Sequence, residues 1–367
     1  MSTNGTTRDG ITSWTVQTFG LMNRRGINTI DTIAFDDTPG DLLDELQIAG
    51  ICSHILPSRR QRPFAYMRAL RALIKKNQYE VIHINGNSGT VAIELACSLG
   101  TTAKARIVHS RNTQGKHPIM DRVLRPAVHA LCTDRAACGR DAGKWLFGER
   151  DFTVLPNGRD LSTYVYSATG RDEVRAELGL TPQHIAVGHV GNFNPEKNHK
   201  FLIEAFAQAR LRNPKLRLFL LGDGNLRSSI VEQVQAYGLT GDVTLLGRTP
   251  RVAEYLTAFD LAVLPSTHEG FPNVVIESQL SGLPILVNST VTDECAVTEL
   301  VHSIPANDLS RWVERIQAAA PIDREPASRA ARERLKSAGY DAETSALRLR
   351  DLYDSIAERD RVQPTSS

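Results

Sequence analysis

The sequence predicts an α/β protein of two doubly wound, Rossmann-like domains, and three observations carry that prediction. Short apolar runs that read as strands alternate with segments of helical period along most of the chain, the pattern of parallel sheets covered on both faces. At 367 residues the chain exceeds the size at which one hydrophobic core keeps growing, so two cores are expected. Residues 260–288, DLAVLPSTHEGFPNVVIESQLSGLPILVN, read as one complete unit of strand, loop, helix and strand.

Taken in order, a polar start leads into a helix expected over 13–23. Strands are expected at 28–35, 52–56, 80–84 and 106–110, separated by helices reaching 49 and spanning 64–77 and 89–99. A strand ending at Cys132, a helix through Trp145 stopped by Gly148, a strand over 152–155 and a Pro156-Asn157-Gly158 turn follow. The Ser-, Thr- and Tyr-rich stretch 160–170 is the expected linker, which sets a first domain at 1–165 and a second at 166–340. In the second, strands are expected at 185–191, 216–221, 243–246, 261–264 and 285–287. A helix begins at Asn198 with Phe201, Leu202, Ala205 and Phe206 on its apolar face. Helices over 309–319, 326–337 and 342–356 close the chain, and the polar tail 358–367 is expected to be disordered.

The formal charge of +2 gives no reason to expect a nucleic-acid partner. It is unevenly spread, with 21 Lys and Arg against 15 Asp and Glu in residues 1–170 and 22 against 26 in the rest. A basic first half suits an anionic membrane face or an acidic acceptor. The five cysteines are odd in number and scattered, which reads as reduced thiols of a cytoplasmic protein without a zinc site. No apolar run reaches the length of a membrane span, so any membrane contact is expected to be peripheral.

Glu269 and Glu277, with seven residues between them, both fall near the carboxyl end of the strand over 261–264, the edge at which open α/β sheets bind ligands. A carboxylate accepts two hydroxyl hydrogen bonds at once, which suits the vicinal diol of a ribose or hexose. The amides of Gly270, Phe271 and the helix start at Pro272 and Asn273 offer an anion site.

The string HEGFPNVVIESQLSGLPIL closely resembles the paired-glutamate signature of the group 1 glycosyltransferases, retaining enzymes of the GT-B fold. The resemblance implies that Glu277 binds the donor ribose and that Glu269 faces the transferred sugar. In HVGNFNPEKNHKFLIEAF, Lys197 matches the family lysine that grips the donor diphosphate, while Asn192 stands where the family has arginine. Arg248 is a candidate substitute charge. Gly222-Asp223-Gly224 lacks the third glycine of a dinucleotide fingerprint, having Arg227 in its place, and is similar to a run beside the family's donor site.

YEVIHINGNSGTVAIE resembles the segment that faces the acceptor, here His83, Asn85, Gly86 and Asn87, with Gly10 in the place of a glycine-rich loop. RIVHSRNT is similar to the subset that builds bacterial exopolysaccharides and capsules, in which the histidine at His109 contacts the donor sugar; Arg111 stands where a second histidine is usual. The family's apolar strand ahead of the glycine loop has no counterpart before Gly10; the expectation is a natural start upstream of Met1, the alternative being that the polar residues before Gly10 are forced into that strand's slot. Carried over whole, the resemblance implies two domains facing a central cleft, with the last helix crossing back to the first. It also implies transfer of a sugar from a nucleotide-sugar donor, UDP foremost, to a glycan or lipid-linked hydroxyl with retention. No Asp-x-Asp metal triplet is present, so neither metal nor cofactor is expected. The alternatives are a non-catalytic sugar-nucleotide-binding subunit and a GT-B nucleotide-sugar epimerase.

Overall fold

A computed structural model of the protein describes residues 10–27, 29–115 and 118–362. Expectations that fall on Asp9 and the residues before it, Asn28, His117 and 363–367 lie outside the described residues. The chain divides into two compact units, residues 1–159 with 339–367, and residues 160–338.

The first unit runs α1 (Gly10–Arg24), β1 (Asp31–Phe35), α2 (Gly40–Ile48), β2 (Cys52–Leu56), α3 (Pro63–Asn77), β3 (Val81–Asn85), α4 (Ala92–Ser98), β4 (Ala105–Ser110), α5 (Pro118–Leu131), β5 (Asp134–Ala137), α6 (Arg140–Phe147) and β6 (Thr153–Val154). Its strands pair in parallel as β1-β2 and as β3-β4-β5-β6, and no ladder joins β1 to β3 among the described residues. Their side chains nonetheless share a core, in which Ile33, Phe35 and Leu56 meet Ile82 and Ile84 beneath Tyr66, Leu70 and Ile74 of α3.

The second unit runs α7 (Ala168–Glu177), β7 (Ile185–Val190), α8 (His199–Arg212), β8 (Leu216–Leu221), α9 (Arg227–Ala236), β9 (Val243–Gly247), α10 (Val252–Ala258), β10 (Leu261–Leu264), α11 (Asn273–Leu280), β11 (Ile285–Asn288), β12 (Val301–Ile304), α12 (Leu309–Gln317) and α13 (Arg324–Ser337). Its six parallel strands lie in the order β12-β11-β10-β7-β8-β9. Leaving β7 the chain moves to β8 on one side, whereas leaving β10 it moves to β11 on the other. The order therefore reverses between β7 and β10, and such a reversal opens a crevice at the carboxyl ends of the two strands. Asp260, at the opposite end of β10, is buried and held by Arg171 at 2.5 Å, Arg175 at 3.1 Å and the Ala186 amide at 2.8 Å, which fixes the strand's register.

The last helix, α14 (Ala342–Val362), belongs to the first unit. Ala346, Leu349 and Ile356 pack with Trp14, Phe19 and Met22 of α1, so the chain crosses back to the unit in which it began.

Three expectations are corrected. The stretch ahead of Cys132 is helix α5 rather than a strand, because Leu124, Ala127, Val128 and Leu131 recur at helical spacing toward the core. The strand itself is β5, whose sequence DRAA opens on two charged residues and so gave no apolar run. Gly10 starts α1 instead of lying in a loop. The tail does not lose structure at 358: α14 continues to Val362, and the Arg359 guanidinium pairs with the Asp134 carboxylate.

Candidate active site

The β7 loop carries Lys197 on a short turn, and each residue of that turn has a local cause. Asn194 caps it by accepting from the Lys197 amide at 3.2 Å, Pro195 supplies the first turn position, and Asn198 takes a left-handed conformation with φ 54°. Gly191 lets the lysine fold back over the strand end, since a Cβ there would sit 3.0 Å from Lys197 Cε.

Gly222 and Gly224 serve the same loop from β8. A Cβ on Gly222 would stand 1.9 Å from the Gly191 carbonyl oxygen, and one on Gly224 would stand 2.5 Å from that of Phe193. Without side chains the two loops lock together, the Phe193 amide donating to Asp223 O at 3.0 Å and the Leu226 amide to Phe193 O at 3.1 Å.

The β10 loop carries Glu269 and is anchored at its root. Asn288 Nδ2 donates to Ser266 O at 2.9 Å, and the Thr267 amide donates to Glu196 O at 2.8 Å. The two loops thus meet at the reversal point, where Lys197 Nζ donates to Glu269 Oε1 at 2.5 Å. The side chains of this pair are 17% and 13% exposed, within reach of a ligand yet shielded enough for charge to matter. Glu277, one turn into α11, is buried, as are Gly270, Phe271 and Pro272; Asn273 opens the helix at intermediate exposure. Asn192 and Arg248 are exposed at the same strand edge, Arg248 directly following Gly247, whose carbonyl accepts from the Gly222 amide at 2.9 Å.

Beneath Lys197 lie two imidazoles. His189 donates from Nδ1 to Val263 O at 2.9 Å, while its Nε2 and both ring nitrogens of His199 are buried with no hydrogen-bond partner. Burial lowers the His189 pKa to about 4 and that of His199 to about 2, and the Lys197 ammonium adds to both shifts. Both rings are therefore neutral at physiological pH.

In the first unit the expected acceptor-side residues collect at the ends of β3 and β4. A guanidinium only donates, so Arg111 Nη1 at 3.1 Å makes His109 Nε2 an acceptor. His109 Nδ1 then donates to His83 Nε2 at 3.1 Å, and His83 Nδ1 donates to the Tyr353 hydroxyl at 2.9 Å. Burial, with Arg111 close by, pushes both histidine pKa values well below the usual range. Trp14 covers this relay, its ring 5.2 Å from that of His109 and 4.4 Å from the Arg111 guanidinium, and it donates to Ser345 Oγ at 3.3 Å. Arg111 continues to Asn157 Oδ1 at 2.8 Å. His109 is fully buried with both nitrogens engaged, so a sugar contact would require Trp14 or Arg111 to move. Asn85 is buried with its Oδ1 unpartnered, Gly86 donates to His109 O at 3.1 Å, and Asn87 donates to Gln114 O at 2.8 Å.

Lys197 and Glu269 are thus brought together with Glu277, Asn192, Gly222, Gly224 and Arg248 along one sheet edge, and His83, Asn85, Gly86 and His109 together in the first unit. Gly10 is exposed at the start of α1, one turn before Trp14. Trp14, Tyr353, His189 and His199 escaped the sequence reading; HVG before Asn192 and KNH after Glu196 were the only signal for the two imidazoles.

Comparisons with known proteins bear on the family and the fold. Residues 170–330 match the family model described as glycosyl transferases group 1. The chain is 32% identical over 375 residues to a putative glycosyltransferase, EpsF, of Bacillus subtilis (strain 168), covering 97% of this chain and 96% of that one. It is 26% identical over 263 residues to the UDP-Gal:alpha-D-GlcNAc-diphosphoundecaprenol alpha-1,3-galactosyltransferase of Escherichia coli, covering 68% of each. The crystal structure of Anabaena Alr3699/HepE in complex with UDP-glucose superposes with a TM-score of 0.74 at 19% identity over 98% of this chain and 97% of that one, a likeness of fold.

Proposed function

This chain belongs to the group 1 glycosyltransferases and has the GT-B class of α/β fold, and from that premise we propose that it transfers a sugar from a UDP-sugar to a hydroxyl of a glycan or lipid-linked acceptor, with retention. The observation that carries the reading is the Lys197 and Glu269 pair at the reversal point of the second unit's sheet. In the proposed cycle the donor diphosphate takes the Lys197 ammonium, the sugar hydroxyls take the Glu269 carboxylate, and the ribose diol takes Glu277. The bond from the anomeric carbon to phosphate oxygen breaks while the acceptor oxygen bonds that carbon on the same face. The departing diphosphate accepts the acceptor's proton. Lys197 stabilises charge that grows on this leaving group, so its contribution is larger in the transition state than in the ground state. None of these steps calls for a metal ion or a cofactor. His83, Asn85, Gly86 and Asn87 are proposed for the acceptor side, and His109 for contact with the donor sugar once it is uncovered.

A second reading, a subunit that binds the nucleotide-sugar without turning it over, is favoured by one observation: an exposed Asn192 offers no charge to the diphosphate. An epimerase reading needs no acceptor. Acceptor-dependent UDP release identifies transfer; the other two readings give no net UDP release, and only an epimerase converts the donor into its epimeric UDP-sugar, which NMR of the nucleotide-sugar detects.

Among the described residues no helix is long and apolar enough to cross a membrane. For a lipid-linked acceptor we place peripheral contact on α5, where Ile119, Met120 and Val123 are exposed around Arg122. Vesicle flotation tests it: binding to anionic but not neutral vesicles that Val123→Glu abolishes supports the placement, and no binding to either removes it.

A further inference from the structure

The structure brings Asp31, Cys52 and His54 together in the first unit, and we propose that they form a zinc site. Parallel pairing sets Asp31, the first residue of β1, directly beside Cys52, the first of β2, and sets Ile33 beside His54. Strand alternation then puts Cys52 and His54 on one face of β2. The ligand atoms of the three residues all lie within 4.8 Å of one another. Asp31 Oδ2 is 2.9 Å from His54 Nε2. The Tyr79 hydroxyl is 2.9 Å from the same nitrogen and also bonds the Asp31 carboxylate. Cys52 is exposed, and the His54 and Asp31 side chains are 27% and 22% exposed, so an ion in water can reach all three.

One sulfur, one imidazole nitrogen and one carboxylate oxygen form a mixed set that suits a borderline-soft ion such as zinc, with water as fourth ligand. Bonds of about 2.0–2.3 Å to a tetrahedral ion separate its ligands by more than the present carboxylate-to-imidazole contact, so binding opens that contact by a few tenths of an ångström. The entering ion binds the neutral imidazole at Nε2, the ring keeping its one proton on Nδ1, and displaces the Cys52 thiol proton to solvent, so a divalent ion is exchanged for one proton and the site gains one positive charge. Tyr79 stays outside the coordination shell and donates to Asp31, orienting the carboxylate.

The position gives the ion a purpose. No ladder joins β1 to β3 among the described residues, and a two-stranded sheet alone is marginally stable. Tyr79 stands just before β3, so a zinc-held Asp31 that receives its hydroxyl clasps the two sheets across their open seam. The cluster lies toward the amino ends of its strands, whereas Asn85 and Gly86 lie at the carboxyl end of β3, which sets the site apart from the residues proposed for the acceptor.

The test uses the full chain with any affinity tag removed, dialysed against zinc chloride, with zinc measured by elemental analysis. The expected result is one zinc per chain, lost in Cys52→Ser and in His54→Ala and kept in Tyr79→Phe. Chelation should lower the wild-type Tm to that of Cys52→Ser, and zinc should slow alkylation of Cys52 by iodoacetamide about tenfold or more. Because Cys52 is exposed, Cys52→Ser keeps its fold and separates metal loss from misfolding. Substoichiometric zinc in the wild type, equal zinc in His54→Ala, or an alkylation rate that zinc leaves unchanged would overturn the proposal.

Discussion

Lys197 donates to Glu269 across the point where the strand order of the second unit reverses, over 2.5 Å. The pair joins the β7 loop to the β10 loop, and in the proposed cycle each member has a different next partner. Donor binding splits it, the ammonium passing to the diphosphate and the carboxylate to the sugar.

Removing each glutamate should therefore have opposite consequences for UDP. Glu269→Ala frees Lys197, so UDP should bind as well as to the wild type or more tightly, while sugar transfer is lost. Glu277→Ala removes a charge-assisted bond to the ribose, a loss of roughly 1.5–3 kcal/mol and about 10- to 150-fold in affinity. Calorimetry with UDP decides it, and wild-type affinity in both variants would remove Glu277 from the ribose role.

Asn192 stands exposed beside the lysine turn, at a position where a second cation would meet the leaving group. Asn192→Arg should raise turnover by about 10- to 150-fold if the added contact forms only in the transition state. Unchanged or lower kcat with an unaltered Tm would mean that phosphate charge is met elsewhere, Arg248 being the candidate on this edge.

Four buried histidines make stability depend on pH. The pKa values of His83, His109, His189 and His199 are all depressed in the folded chain, mainly by burial. Below their ordinary value of 6.5 the unfolded chain takes up protons that the folded chain refuses, so stability is full above that pH and falls below it. The loss continues to about 4 for His189 and about 2 for His199. Each histidine approaches a slope of about 1.4 kcal/mol per pH unit. Tm followed from about pH 7.5 down to about pH 5 should fall, and less steeply in His199→Phe; a flat profile, or the same slope in that variant, contradicts this.

Most of the second unit was legible because strands such as β10 and β11 are apolar runs and its site residues sit within single motifs, Gly191 to Lys197 and Glu269 to Glu277, whereas β12, VHSI, with two polar residues at its centre, gave no such run. The first unit was less so. β5 carries only two apolar residues, and the helix before it puts apolar residues next to Cys132, which mimicked a strand. Trp14 over His109 depends on α1 and α14 meeting, a relation between residues 331 positions apart in the Trp14 to Ser345 bond. Asp31, Cys52, His54 and Tyr79 share no spacing that marks a metal site; only strand register assembles them.

The central claim is sugar transfer by the second unit's Lys197, Glu269 and Glu277. The most direct measurement incubates the chain with UDP-sugars and a panel of glycan and lipid-linked acceptors, follows UDP release, and reads the anomeric configuration of the product by NMR. The account predicts acceptor-dependent UDP release, a product with the donor's configuration, and loss of both in Glu277→Ala. Tight UDP-sugar binding without release of UDP across the panel, or a product of inverted configuration, would contradict it.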